Sequence, residues 1–213
     1  MYVLRKLFFT LFILSINLNA HDSGLSRKIE FPDIKGYQTL VCDLHMHSVF
    51  SDGSVWPDIR IEEAKKDGLD LIAVTEHIEI QPWKKDIPNP DRNRSFDHHK
   101  HYARDSEILV VNGSEITRAM PPGHANAIFL KDANKLLVDN VMDAFYEAKK
   151  QGAFIFWNHP HWIAQSPDAS VPLSDVHYKL FDEGLIEGIE IVNDTTYSDH
   201  ALQVALDYDL TMI

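Results

Sequence analysis

The segment 40–53 reads LVCDLHMHSVFSDG and joins a short apolar run to two histidines and a turn that closes on Gly53. The apolar run 40–44 predicts a strand, because it is short and is followed by turn-forming residues. His45 and His47 stand two residues apart, and at that spacing in an extended chain both side chains point to the same side. Both imidazoles can therefore bind one metal ion.

Further apolar runs predict more strands, and helical patterns lie between them. The predicted strands span residues 40–44, 69–75, 108–112, 125–130, 153–157, 188–192 and 210–213, and the predicted helices span 57–67, 97–106, 139–151 and 200–207. Strands with few internal charges that alternate with helices are typical of a parallel sheet covered by helices. The sequence therefore predicts an α/β fold.

Metal-binding residue types recur beside these predicted strands. The C-terminal ends of all strands in a parallel barrel lie on one face of the barrel. Residues that are distant in sequence therefore become neighbours on that face. One histidine at a strand end is more often a satisfied polar residue than a ligand. A whole series of such residues favours a metal site over this alternative. Besides His45 and His47, the series consists of Asp52, Glu76, His77, Glu115, His124, His159 and His161.

Composition limits the remaining possibilities. The chain has 213 residues, 45% of them hydrophobic, and a formal net charge of −12, which is typical of one globular domain and excludes a disordered chain. Its scattered Lys and Arg argue against nucleic-acid binding through a basic face. Cys42 is the only cysteine, so an intrachain disulfide is excluded and a metal site must use His, Asp and Glu.

The N-terminus has the pattern of a secretory signal peptide. Arg5 and Lys6 precede an apolar run, 7–18, which ends in small or polar residues at Asn19 and Ala20. Twelve helical residues span about 18 Å, too short for a bilayer core of about 30 Å, although an uncleaved anchor is the alternative. We expect a signal peptide at 1–20, a lead-in at 21–38 and the main domain at 39–213. The mature protein would be periplasmic or extracellular, with no stable membrane span.

The succession DLHMHSVFSDG, VTEHIE, GSEIT with GHANAIFL, and WNHPHW resembles the PHP (polymerase and histidinol phosphatase) family of metal-dependent phosphoesterases. The resemblance covers residue 40 to about residue 213. It implies a distorted (β/α)7 TIM-like barrel that binds two or three divalent ions, among which zinc, manganese and iron all occur in the family. By position, it implies that His45 and His47 hold the first ion, that Glu115 bridges to a second ion held by His124 and His159, and that Asp52 and His77 bind a third.

Two departures from the family pattern stand out. The family often has Thr-Asp-His where this chain has Thr75-Glu76-His77, which keeps the histidine and lengthens the neighbouring acid. The last family motif, an Asp-x-His after the final strands, does not occur in the 213 residues. Because the sequence also stops inside an apolar run at Ile213, we expect the barrel to be incomplete at its C-terminus.

The resemblance implies hydrolysis of a small-molecule phosphomonoester or phosphodiester. A two- or three-ion centre would generate hydroxide from water near neutral pH, without a serine or cysteine nucleophile. His161 is the candidate general acid for the leaving group. The loop 81–95 offers cations that could bind phosphate oxygens, or that could simply form a solvated charged surface; they are Lys84, Lys85, Arg92 and Arg94.

Two other functions remain open. A non-catalytic metal-binding PHP module would be favoured by an incomplete ligand set, although seven family ligand positions are retained. An amidohydrolase-like metal hydrolase that acts on C–N or C–O bonds would also suit the His-x-His pattern. That group usually relies on a carbamylated lysine or an equivalent bridge, whereas Glu115 as the bridge fits the phosphoesterase family. Fold analogy alone does not choose between them.

Overall fold

The computed structural model describes residues 30–213, so the predicted signal peptide and residues 21–29 of the lead-in lie outside the described residues. The described strands are β1 (Cys42–Met46), β2 (Leu71–Val74), β3 (Leu109–Thr117), β4 (His124–Ile128), β5 (Phe154–Trp157), β6 (Gly188–Ile189), β7 (Val192–Asn193), β8 (Thr196–Tyr197) and β9 (Thr211–Met212). The helices are α1 (Pro57–Asp67), α2 (Arg94–Ala103), α3 (Val141–Gln151), α4 (Asp175–Asp182) and α5 (Asp199–Asp207), with a 3-10 turn at Ala133–Leu136.

The main sheet has seven strands in the order β1-β2-β3-β4-β5-β6-β9, and β7 and β8 form a separate hairpin. The expectation of a fully parallel sheet is wrong for β4, which runs antiparallel to both β3 and β5. The link 118–123 between β3 and β4 is too short for a crossover, which needs about a dozen residues or more. The chain therefore turns back, and Thr117 pairs with His124.

The sheet is curled, as expected for a TIM-like barrel. Ala73, Ile128 and Phe156 form one buried cluster, and Leu44 and Ile213 from the opposite edges of the sheet pack against it. Strands this far apart in the sheet order can meet only if the sheet bends around a common interior. The fold is thus α/β with a curled, largely parallel sheet. The seven-unit repeat and the incomplete C-terminus stay predictions.

Local sequence signals account for the two best-defined helices. Helix α1 has the predicted bounds, with Pro57 in the first turn and Gly68 just beyond the end at a φ of 73°. In α3, the side chain of Asn140 accepts a hydrogen bond from the backbone N–H of Met142, and Gly152 ends the helix at a φ of 87°. These two helices therefore begin and end where their capping residues dictate.

Other elements differ from the sequence-based expectation. Helix α2 begins three residues earlier than predicted, at Arg94. Helix α4 was not predicted, because its eight residues follow a proline-containing segment and are too few for a clear apolar period. Strand β3 extends to Thr117, so Glu115 lies within the strand rather than beyond it. Among residues 30–213, no helix is long and apolar enough to cross a membrane.

The core between the sheet and α3 supplies a test of the fold. Phe145 of α3 is fully buried in the largest apolar cluster. We expect Phe145→Ala to lower the free energy of unfolding by about 3–5 kcal/mol, because it leaves a cavity in a close-packed interior. Urea denaturation measures this, with Tyr146→Ala as the exposed neighbouring control. Equal midpoints for the two variants would show that this helix is not packed as described.

Candidate metal centre

The predicted metal ligands come together in one cavity at the edge of the sheet where β1, β2 and β5 end. Because β4 is antiparallel, its first residue, His124, lies at this same edge as the ends of the parallel strands. The cavity has a volume of about 520 Å3. Its lining consists of all seven predicted ligands and four further residues: His45, His47, Asp52, His77, Glu115, His124, His159, Ile80, Trp162, Asn193 and Asp194.

The first group of ligand atoms forms a regular triangle. His45 Nε2 and His47 Nε2 lie 3.1 Å apart, and each lies 3.1 Å from Glu115 Oε2. A tetrahedral ion with bonds of about 2.0–2.1 Å has ligand atoms about 3.3–3.4 Å apart. The spacing of the three atoms is therefore close to that of one face of such a tetrahedron.

Glu115 stands at the centre of the site and is fully buried. Burial alone would raise the pKa of Glu115, but contacts with His124, His45, His47 and His77 hold it well below its usual range. Its second oxygen, Oε1, lies 2.6 Å from His124 Nδ1, yet neither atom has a hydrogen-bond partner. A buried carboxylate oxygen and an imidazole nitrogen this close together are the arrangement expected of atoms that share a cation. His77, Glu115 and His124 form a second group of possible ligands.

A third group consists of His47, Asp52 and His77. His77 Nε2 lies 3.2 Å from Asp52 Oδ2, while His77 Nδ1 and Thr117 Oγ1 lie 2.6 Å apart in a hydrogen bond. Burial lowers the pKa of His77, but hydrogen bonds to Asp52 and Glu115 outweigh it and raise that pKa to about 9. The hydrogen bond with His77 lowers the pKa of Asp52. Thr117 thus directs Nε2 of His77 toward Asp52.

His159 lies at the cavity wall but outside these three groups. It follows β5 with a φ of 28°, and its Nδ1 atom is buried without a hydrogen-bond partner. Burial lowers the pKa of His159 to about 4, so the ring is neutral and carries a free lone pair. Its ring centroid is 5.2 Å from that of His124. The residue is thus suited to bind a cation, although its pairing with Glu115 stays a prediction.

The structure does not bring the predicted general acid into the cavity. His161 is buried, and its Nε2 lies 3.0 Å from Thr196 Oγ1 of β8, outside the cavity lining. Pro160 and the positive φ of His159 break the extended geometry that would have put both histidines on one side. Here His161 ties the turn after β5 to the β7–β8 hairpin.

The four predicted phosphate-binding cations also lie outside the cavity lining. Arg92 Nε donates to the carbonyl of Ile78 at 2.9 Å, and the Arg94 guanidinium lies 4.9 Å from the centre of the Phe50 ring. Lys84 and Lys85 are exposed. The two arginines hold the loop 81–95 in place, and a substrate-binding role for any of the four stays a prediction.

Two buried carboxylates behind the ligands have roles that the motifs did not reveal. Glu76, 4% exposed, accepts hydrogen bonds from the hydroxyls of Ser48, Ser51 and Ser95, and Ser51 Oγ lies 3.3 Å from His47 Nδ1. The longer acid at this motif therefore supports the histidine loop from behind rather than entering the cavity. The signal that could have pointed to it was a carboxylate beside a serine-containing loop.

Glu190 is the second of these buried carboxylates, and it contacts a predicted metal ligand directly. It is 2% exposed, and its Oε1 lies 2.6 Å from His45 Nδ1. Burial lowers the pKa of His45, but hydrogen bonds to Glu115 and Glu190 more than offset it and raise that pKa to about 10. The sequence signal was a carboxylate inside the apolar strand predicted at 188–192.

Comparisons with known proteins identify the family of this chain. The model of the PHP domain family matches residues 43–190. A two-domain protein from Bacteroides vulgatus, which contains a predicted PHP-like metal-dependent phosphoesterase, shares 55% sequence identity with this chain. Its crystal structure superposes on this chain with a TM-score of 0.83. The alignment covers 87% of this chain but 54% of that protein, so this chain spans about half of its length. No match was found among curated proteins.

More distant structures share the fold. PsfC from Pseudomonas syringae is 19% identical with a TM-score of 0.56, over 81% of this chain and 73% of its own. An amidohydrolase from Chromobacterium violaceum, with bound sulfate and no metal, is 13% identical with a TM-score of 0.56, over 80% and 84% of the two chains. Identities this low show the fold alone. The family match across more than half of the sequence, together with the relative from Bacteroides vulgatus, shows that this chain belongs to the PHP domain family.

Proposed function

We propose that this protein is a metal-dependent hydrolase that cleaves a phosphate ester of a small molecule. One observation carries the proposal: three ligand atoms, from His45, His47 and Glu115, lie 3.1 Å from one another, and the other oxygen of Glu115 faces a third histidine, His124. Two cations held on the two sides of Glu115 would lie close enough to act on one phosphate. Family membership and the metal-dependent phosphoesterase relative support this reading.

The bound ions would acidify a water from a pKa of about 15.7 toward about 7 and would neutralise negative charge on the phosphate oxygens. His45, His47 and Glu115 would fix the position of one ion relative to the other. Glu115 is ionised, because its pKa lies well below the usual range, and so it can face two cations. Because its pKa is lowered to about 4, His159 is neutral at physiological pH, and one of its ring nitrogens offers a lone pair to a cation.

The mouth of the cavity suggests how a substrate is held. Ile80 and Trp162 are both 45% exposed and line the cavity beside the histidines. Among the described residues, no lysine or arginine lines this cavity, so charge neutralisation of the phosphate would fall to the ions. The apolar part of a leaving group can pack on Trp162. This geometry supports a phosphate ester of a small organic alcohol.

The absence of a lysine from the same lining argues against the amidohydrolase alternative with a carbamylated lysine, within the part of the chain that the structure describes. The similarity to an amidohydrolase is a similarity of fold. A non-catalytic module would bind ions without turning over an ester. Only a measurement of turnover separates that module from an enzyme.

The proposal predicts that purified protein loaded with Mn2+ or Zn2+ releases phosphate from at least one member of a panel of phosphomonoesters and phosphodiesters. A chelator should abolish the release, and added metal should restore it, because no protein nucleophile substitutes for the ion-activated water. The controls are the matching carboxylic esters and amides. Cleavage of those compounds without phosphate release would favour the amidohydrolase-like alternative. Bound metal with no hydrolysis would favour the non-catalytic module.

A further inference from the structure

We propose that Glu190 is a positioning residue that directs Nε2 of His45, and not Nδ1, at the first metal ion. The inference rests on the proposed metal centre and assigns a role to a side chain outside the predicted ligand set. Glu190 follows β6 and is 2% exposed. It belongs to none of the three groups of possible ligands found in residues 30–213.

Each oxygen of this carboxylate has a different task. Oε1 lies 2.6 Å from His45 Nδ1. Oε2 accepts the backbone N–H of His159 at 2.7 Å and the side-chain amide of Asn193 at 3.1 Å. Glu190 therefore joins a ligand on β1, the turn after β5 and the β7–β8 hairpin. A buried carboxylate with this many partners is held in one orientation.

The contact with His45 decides which ring nitrogen is available. A carboxylate oxygen accepts a hydrogen bond from an imidazole N–H, so this contact favours the tautomer in which Nδ1 of His45 carries the hydrogen and donates it. The other nitrogen, Nε2, is the one that lies 3.1 Å from His47 Nε2 and from Glu115 Oε2. Hydrogen bonding of a ligand's outer nitrogen to a carboxylate orients the ring and makes it a stronger ligand.

The backbone N–H of His159 makes the isosteric variant informative. In Glu190→Gln, one oxygen of the side chain becomes an NH2 group of nearly the same size. The N–H of His159 can only donate, so the remaining oxygen must face it and the NH2 group must face His45. His45 Nδ1 would then accept, which moves the ring hydrogen to Nε2 and blocks metal binding. A purely structural role would tolerate this variant.

The experiment compares metal-free wild type with Glu190→Gln. The affinity for Zn2+ is measured by competition with a chromogenic chelator, and the site geometry by the absorption spectrum of the Co2+ form. We expect the variant to fold with a circular dichroism spectrum like that of wild type. Its Zn2+ affinity at the first site should fall by about 10- to 100-fold, as for other lost partners of metal-binding histidines. Its Co2+ bands should weaken.

Two further variants complete the test. Glu190→Asp keeps the charge but withdraws the carboxylate by one methylene, so it should also bind Zn2+ weakly, and it replaces the Gln variant if that protein does not fold. Glu187→Gln is the matched control, because its carboxylate pairs with Lys149 on the surface at 2.8 Å, and we expect it to keep the wild-type affinity. If Glu190→Gln and Glu190→Asp both bind Zn2+ as tightly as wild type, Glu190 does not position His45.

The outcomes separate this inference from the proposed function. None of these measurements requires a substrate, so a wild type that binds Zn2+ without hydrolysing any ester refutes the enzyme and leaves the role of Glu190 standing. A wild type that hydrolyses esters beside variants of unchanged affinity refutes only the role of Glu190. A wild type that binds no Zn2+ refutes both.

Discussion

Replacing His45 and His47 together with alanine is expected to remove the ion at the first group and to reduce ester hydrolysis to background. The two rings supply two of the three atoms in the triangle of 3.1 Å contacts. Glu115 alone would remain, and one carboxylate does not hold a transition metal against water. Activity should fall by more than about 100-fold, the upper end of the cost of losing an outer-shell partner.

Elemental analysis and phosphate release measure this result in the same sample. The matched control is the double variant His101→Ala, His200→Ala, which removes two exposed histidines outside the cavity lining. That control should keep its metal and its activity. Unchanged metal content after the loss of His45 and His47 would mean that the bound ions are held by other residues.

Glu115→Gln is expected to keep the fold and to lose most of the activity. Glu115 is fully buried, and its two oxygens face opposite sides of the site: Oε2 faces His45 and His47, and Oε1 faces His124. A neutral amide has one acceptor oxygen and no charge, so it cannot bridge two cations and leaves them poorly screened from one another. The number of bound ions should fall, and hydrolysis should fall by more than about 100-fold.

Glutamine has nearly the same size as glutamate, so a comparison of Glu115→Gln with wild type reports the effect of the lost charge. Circular dichroism checks the fold, elemental analysis counts the ions, and phosphate release reports the activity. Glu187→Gln serves as the control, because its carboxylate pairs with Lys149 on the surface at 2.8 Å. Full activity with an unchanged ion count in Glu115→Gln would remove Glu115 from the bridging position.

The parts of the fold that could be predicted are those with a local signal. Helix α1 has proline at its start and glycine just after its end, and both act within one turn of the chain. That the seven proposed ligands lie in one cavity could be predicted, because the C-terminal ends of parallel strands meet on one face whatever the length of chain between them. His124 reaches the site by another route, since it begins an antiparallel strand. The short link 118–123 before β4 was the sequence feature that could have indicated this antiparallel direction.

The parts that could not be predicted depend on long-range contacts or on one unusual backbone angle. His159 and His161 are two residues apart, like His45 and His47, yet they point to different places because the φ of His159 is 28°. Glu190 acts on a histidine 145 residues earlier, and no local pattern encodes that contact. Arg92 was a candidate phosphate ligand by residue type, and its Nε donates to the carbonyl of Ile78 outside the cavity lining, a contact that no local pattern indicated.

Titration of chelator-treated protein with Zn2+ or Mn2+, with bound ions and phosphate release measured in the same samples, tests the central claim most directly. The geometry predicts no release without metal, and a release that rises with occupancy and saturates when more than one ion is bound per chain. The claim that this cavity is a metal-dependent phosphoesterase site would be contradicted if the protein bound no ions, or if phosphate release did not depend on them.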